Sequence, residues 1–306
     1  MEDREENTVF PKPLITYPTI EAVGDGQRPV TNPYSPHQER VRSTNLENHE
    51  VSTALLAVSA VTVRYGGVAA VDDLSFRHAD GGVIGLIGPN GAGKTTLLNV
   101  LSGTVAPTGG KVRFGEHDVT GLAPDRIARM GITRTFQNLE VFGSLTVLQN
   151  VLLPRIARSR GTALFPLPGA ARGRRRIRAE RRAAHELLDR VGIAEYADTP
   201  AGNLAYGLQR RVEIARALAG DPALILLDEP LAGLSRSESA GLASLFAATA
   251  AEGVTVLLVE HDVATVLAVS QRVLVLDHGR LLADGTPRQV SSDAAVQDAY
   301  LGKGWQ

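Results

Sequence analysis

The sequence predicts an α/β fold organised around a phosphate-binding loop, and three stretches carry that reading. The first is Gly88-Pro89-Asn90-Gly91-Ala92-Gly93-Lys94-Thr95-Thr96, set between an apolar run, Val83 to Ile87, and a helical one, Leu97 to Leu101. Strand, glycine-rich turn, Gly-Lys-Thr and helix is the context that a phosphate loop requires. Glycines at 88, 91 and 93 let successive backbone N–H groups converge on one anion, and the helix N-terminus adds partial positive charge. Lys94 then reaches the β- and γ-phosphates, and the Thr95 hydroxyl sits on Mg²⁺. The second stretch is Leu224 to Pro230, LILLDEP. Its continuous apolarity marks a strand buried on both faces of a parallel sheet. Asp228 and Glu229 then stand at the carboxyl end of that strand, where open α/β sheets bind ligands. The third, Val254 to Val259, is another buried strand and runs into Glu260-His261-Asp262.

The remaining elements follow in order. Residues 1–52 hold six prolines, many polar residues and no persistent period. Such a segment buries too little apolar surface to offset its ordering entropy, so disorder is expected, with a docking tail as the functional alternative. Arginine outnumbers lysine seven to one, a sign of GC-rich coding, and VSTALLAVSAV resembles a domain start. Translation from a non-ATG codon at Val51 is therefore a further expectation, which the intact mass of the native protein tests. The folded domain is expected over 53–303. Leu55 to Tyr65 reads as a strand turned by Gly66-Gly67, and Asp73 to His78 pairs back onto it. Lys111 to Phe114 is a short strand after turn chemistry at Pro107 to Gly110. Gly131 to Gln137 is another strand with a polar end, and Thr146 caps a helix, Val147 to Leu153, closed by Pro154.

Residues 155–182 carry ten arginines around Phe165 to Gly169. They read either as a solvated basic face or as a collar beside anionic headgroups at a membrane. Glu180 to Val191 has the spacing of an amphipathic helix broken by Gly192. Gly207 stands just before a helical run, Arg210 to Ala219, a weak anion-binding signal by itself. Arg272 to Asp277 and Arg280 to Asp284 form a hairpin around His278-Gly279, and short helices finish the chain. His78, His117, His185 and His278 are read as structural; His261 differs because its strand lies parallel to that of Asp228.

Bulk properties narrow the functional classes. The 306 residues, 43% hydrophobic, suffice for a large core. A net charge of −1 gives no global argument for nucleic acid, and none is expected as a partner. The absence of cysteine excludes disulfides, thiolate metal sites and a cysteine nucleophile. No run of about eighteen apolar residues is present, and the acidic N-terminus is unlike a signal peptide.

In this order the segments resemble the ATP-binding cassette (ABC) ATPases over about residues 54–303. Gly88 to Thr96 matches Walker A and Leu224 to Glu229 matches Walker B; Gln137 fits the Q-loop and His261 the switch histidine. Tyr65 falls where the family stacks an aromatic ring on adenine, and Ala232 to Ser235 where it has the D-loop. The stretch with Ala205, Gly207 and Gln209 fits the signature motif that closes over the partner's nucleotide, within a helical subdomain of about 138–220. The resemblance implies a mixed sheet core, an antiparallel β subdomain, bound ATP and Mg²⁺, and metal positioning by Thr95, Gln137 and Asp228. It also implies catalysis by Glu229 as general base, with His261, Gln137 and Lys94.

NLAYG followed by QRRVEIARAL, RTFQ, VEHDV and the ending DAYLG resemble the ATPase of branched-chain amino-acid importers. Urea and amide importers are similar, and lipopolysaccharide-export ATPases are more distant. The group implies two separate membrane permeases, a second ATPase subunit in a head-to-tail dimer, an extracellular solute-binding protein and a place on the cytoplasmic face of the membrane. Ala205 stands where a serine is usual, so backbone N–H groups near Gly207 and the helix dipole must meet the γ-phosphate. Leu208 and Ser235 also depart from the usual pattern. The rival class is a non-transport ATPase acting on nucleic acid or ribosomes. Such relatives commonly have two cassettes or a large inserted domain, neither of which is visible here. A nucleotide-binding subunit without hydrolysis is disfavoured by the presence of both Glu229 and His261.

Overall fold

Three five-residue strands, VIGLI, LILLD and TVLLV, are buried along their whole length and form the middle of the molecule. The computed structural model describes residues 54–79, 81–135, 140–158 and 171–301. The segment 1–52, the Val51 start, Gln137 and Phe165 to Gly169 lie outside the described residues. The strands are β1 (Leu56–Tyr65), β2 (Val68–His78), β3 (Val83–Ile87), β4 (Gly109–Phe114), β5 (His117–Asp118), β6 (Ile132–Arg134), β7 (Leu224–Asp228), β8 (Thr255–Val259), β9 (Arg272–Asp277) and β10 (Arg280–Gly285). The helices are α1 (Lys94–Leu101), α2 (Pro124–Arg129), α3 (Val147–Arg158), α4 (Ala171–Arg190), α5 (Tyr206–Ala219), α6 (Arg236–Ala251), α7 (Val263–Val269), α8 (Pro287–Ser291) and α9 (Ala294–Leu301).

A six-stranded sheet has the order β10-β9-β3-β8-β7-β6, parallel except for the edge strand β10. A second, antiparallel sheet has the order β2-β1-β4-β5. Strand alternation divides the core between the two faces of the large sheet. Ile84, Leu86, Leu224, Leu226, Leu257 and Val259 point to the side of α1 and the antiparallel sheet. Val83, Ile225, Leu227, Val256 and Leu258 point the other way, into a cluster with residues of α3 to α6. Ile87, Val273 and Val275 pack with α7, Val290 and Val296 beside β3 and β9.

Helix N-termini differ in how they are capped. α6 and α8 open with capping boxes, Ser235 with Glu238 and Thr286 with Gln289. α3 opens with Thr146 and Gln149 bonded to each other's backbone N–H, and Asp262 caps α7. By contrast α1 and α5 begin at Gly93 and Ala205 with no side-chain cap, as does the short α2. First-turn N–H groups without such a cap leave a helix terminus open to an anion.

Several boundaries differ from those the sequence predicts. The helix from Val147 runs through Pro154 to Arg158. Proline removes one helical bond, but tertiary anchors hold the last turn: Arg155 pairs with Glu180 at 2.8 Å, and Arg158 with Asp221 at 2.7 Å. α4 starts at Ala171, well before Glu180, through an arginine-rich run of good helix formers. α5 starts at Tyr206, so Gly207 lies inside its first turn and not ahead of it. β2 begins at Val68, because its pairing with β1 extends to the turn. β6 stops at Arg134. Helices α2, α6 and α7 and the two-residue strand β5 have no counterpart in what the sequence predicts.

Candidate active site

The phosphate loop joins β3 to α1, and its glycines are held for different reasons. A Cβ on Gly88 would lie 2.2 Å from the Leu276 carbonyl oxygen, and one on Gly93 would lie 2.4 Å from that of Ala70. Gly91 has open space around it, and there only its φ of +80° calls for glycine. Ala92 is buried, and its carbonyl accepts the Gly279 N–H at 3.1 Å. Pro89 accepts the Ala92 N–H at 3.1 Å, and Asn90 is exposed. Lys94 folds over the loop, with Nζ donating to the carbonyls of Gly88 at 2.6 Å and Pro89 at 3.0 Å. Burial holds the Lys94 ammonium below its usual pKa, against the opposing pull of Glu229 and Asp228. Thr95 is exposed on the first turn of α1, and Thr96 is half-buried.

Two carboxylates end β7. Asp228 is buried; its Oδ2 accepts from Arg134 Nη2 at 2.9 Å, while Oδ1 has no hydrogen-bond partner among the described residues. Buried polar atoms are rarely left in this condition. Asp228 Oδ1 and the Thr95 hydroxyl are hard oxygen donors of the kind that Mg²⁺ takes, so the residues present fit that ion. Glu229 follows with φ +49°, a left-handed conformation uncommon for a side chain of its size. Its N–H still bonds the Val259 carbonyl at 2.9 Å, extending the parallel ladder to β8. The next segment of that neighbour carries His261, whose Nε2 stands 2.7 Å from Glu229 Oε1. Glu229 is mostly covered and His261 mostly exposed, with side-chain accessibilities of 15% and 60%. Between them in sequence, Glu260 accepts the Leu231 N–H at 2.7 Å. Burial pushes the Glu260 carboxyl up to about 7, partly opposed by that backbone bond.

The other residues lie around this centre. Tyr65 is 52% exposed at the end of β1, paired with Val68 beside the strand whose Ala70 abuts Gly93. Ala205 is the N-cap of α5, with its carbonyl accepting from Leu208 and Gln209 N–H at 3.0 Å each. Gln209 Nε2 donates to the Leu204 carbonyl at 2.9 Å. A Cβ on Gly207 would meet Glu238 Oε1 at 2.4 Å, and one on Gly233 would meet the Tyr206 ring at 3.3 Å. The start of α5 thus packs on the Gly233 loop and α6. Among the described residues, no hydrogen bond of the 205–209 segment reaches the phosphate loop.

Two residues around the site are not assigned by the sequence. Arg134 sits within the quoted RTFQ stretch without a role, and Tyr300 within DAYLG. The Tyr300 hydroxyl is buried beside the Gly88 backbone, and its side chain packs against the cluster that contains Ile87. Neither was recoverable from spacing, because their partners lie 94 and 212 positions away in the chain.

A family description, ABC transporter, matches residues 71–232. The crystal structure of an ATP-binding cassette of an ABC transporter in its ADP conformation superposes with a TM-score of 0.71 at 29% identity, covering 82% of this chain and 99% of that one. The fold and the loop–carboxylate–histidine site therefore define a nucleotide-binding ABC ATPase domain. Residues 280–305 match a second description, branched-chain amino acid ATP-binding cassette transporter. A high-affinity branched-chain amino acid transport ATP-binding protein of Pseudomonas aeruginosa, BraF, is 42% identical over 257 residues, 83% of this chain and 100% of that protein. LivG of Escherichia coli, described in the same words, is 40% identical over 261 residues, again 83% and 100%. The chain belongs to this family of branched-chain amino acid transport ATP-binding proteins within the ABC transporters.

Proposed function

We propose that this chain hydrolyses ATP to drive import of branched-chain amino acids, or of a similar small solute such as urea or an amide, through two separate permease subunits. The observation that carries the catalytic part is the Glu229–His261 pair at 2.7 Å, set at the ends of adjacent parallel strands. Lys94 and the loop amides hold the β- and γ-phosphates, which stabilises charge in a largely dissociative transition state. Tyr65 stacks on the adenine. Thr95 and Asp228, with Gln137, would hold a Mg²⁺ ion, which when bound would offset the negative charge of the phosphates. Glu229 takes the proton of the attacking water, and His261 orients that water and the γ-phosphate.

In this reading the 205–209 segment serves the partner's nucleotide in a head-to-tail dimer, with a second copy or a paralogue as the other subunit. The uncapped first turn of α5 is the group that meets the phosphate in place of the missing serine hydroxyl. The region between Gln137 and Asn203 grips the permeases, and an extracellular binding protein delivers the solute. No helix among the described residues is long and apolar enough to cross a membrane. The place proposed is the cytoplasmic face of the membrane, by attachment to the permeases.

Native co-purification in mild detergent with mass spectrometry tests this reading. Two hydrophobic permeases and an ATPase subunit are expected, with ATP hydrolysis stimulated by the liganded binding protein after reconstitution. Recovery with ribosomes or nucleic acid and no permease would overturn it.

A further inference from the structure

We propose that Arg134 is a positioning residue of the nucleotide site: by gripping Asp228 Oδ2 it presents the other carboxylate oxygen, Oδ1, to the cation that accompanies ATP. The inference rests on the ATP–Mg²⁺ reading above and adds to it a residue outside the motifs that define the site.

Arg134 ends β6, and its Cα pairs with Leu226 of β7, two residues before Asp228. Leu226 faces α1 and the antiparallel sheet, and by strand alternation so does Asp228. The Arg134 side chain enters the same layer. Its Nη1 donates to Asn99 Oδ1 at 2.6 Å and to Ser102 Oγ at 3.1 Å, both near the end of α1, while Nη2 donates to Asp228 Oδ2 at 2.9 Å. One planar group therefore ties together the helix that begins at the phosphate loop and the strand that ends in the metal aspartate.

The chemistry explains why such a group is needed. The terminal torsion of an aspartate is broad and two-fold, so nothing within Asp228 decides which oxygen faces the cation. A fixed donor on Oδ2 removes that freedom and leaves Oδ1 buried, without a partner, and oriented. Both groups are almost fully covered, at 7% and 1% side-chain accessibility, so the guanidinium also supplies the counter-charge that a buried carboxylate requires. Lysine would restore the charge but not the fork that reaches α1 and β7 together.

The test compares the wild-type chain with Arg134→Met and Arg134→Lys, using binding of a fluorescent ATP analogue first in EDTA and then across a Mg²⁺ titration. Affinity in EDTA gives each variant its own baseline, and the Mg²⁺ dependence is read relative to that baseline. With Mg²⁺, the half-saturating concentration should rise about ten-fold or more in Arg134→Met and by a smaller factor in Arg134→Lys. A Mg²⁺ curve superimposable on wild type in either folded variant would overturn the role of Arg134. If Arg134→Met does not fold, the lysine variant decides alone. Wild-type binding indifferent to Mg²⁺ would overturn the underlying site reading together with this inference.

Discussion

His261 Nε2 lies 2.7 Å from Glu229 Oε1, a contact between two residues 32 positions apart that the parallel pairing of β7 and β8 brings together. The last paired residues are Asp228 and Val259, so the acid and the histidine each emerge just beyond the ladder. The left-handed turn at Glu229 lets β7 leave the sheet there while its N–H remains bonded to Val259.

Replacement of Glu229 by glutamine keeps the shape of the side chain and removes its basicity. ATP binding should persist while turnover falls by roughly 10²–10⁴-fold, the range of a lost general base. A single-turnover assay beside an equilibrium binding assay distinguishes the two effects. Turnover near wild type would remove Glu229 from the proposed role. Backbone strain gives a second readout: Glu229→Gly should be more stable than Glu229→Ala by about 1 kcal/mol, because only glycine enters this φ freely.

The loop glycines should respond unequally to alanine. Gly93→Ala drives a Cβ to 2.4 Å from a backbone oxygen, which no side-chain motion relieves, and loss of both stability and nucleotide binding is expected. Gly91→Ala meets nothing within 4 Å and carries only the cost of its positive φ, about 1 kcal/mol. Thermal melts of the two variants should be clearly separated; equal melting temperatures would contradict this geometry.

Glu260 should couple stability to pH. Its carboxyl has an ordinary value of 4.5 and is raised to about 7 in the folded chain. Between those values the folded protein retains a proton that the unfolded chain has released, so stability falls as pH rises through this window and levels off above it. The shift corresponds to about 3 kcal/mol. Glu260→Gln keeps an acceptor for the Leu231 N–H and does not titrate. Urea unfolding at about pH 5 and about pH 8 should show the variant gaining stability relative to wild type at the higher pH; parallel curves would sink the prediction.

Tyr300→Phe deletes a buried hydroxyl beside Gly88 while leaving the ring in its cluster. A stability loss of about 1 kcal/mol and a several-fold weaker affinity for ATP are expected, because the first glycine of the loop loses a neighbour that fixes it. Calorimetry of nucleotide binding measures the effect. Unaltered affinity with lowered stability would confine Tyr300 to packing.

Much of the site is legible from local sequence because phosphate binding uses backbone geometry within nine consecutive residues. Gly88 to Thr96 therefore displays its chemistry in one stretch. The buried strands are legible too, since LILLD and TVLLV can satisfy their side chains only between two covered faces. Helix boundaries were less so: Pro154 reads as a stop, yet Arg155 and Arg158 find anchors on α4 and beyond α5 that hold the helix together.

The sequence alone determined the α/β class, the glycine-rich turn between β3 and α1 as the candidate phosphate loop, the acidic end of β7 and the candidacy of His261, all of which depend on near neighbours or on strand apolarity. Tertiary structure alone decided that His261 reaches Glu229, that Arg134 takes one oxygen of Asp228 and leaves the other, and that Tyr300 returns to Gly88. These contacts join residues 32, 94 and 212 positions apart. Sheet order and strand register set them, and neither is written in any single stretch of chain.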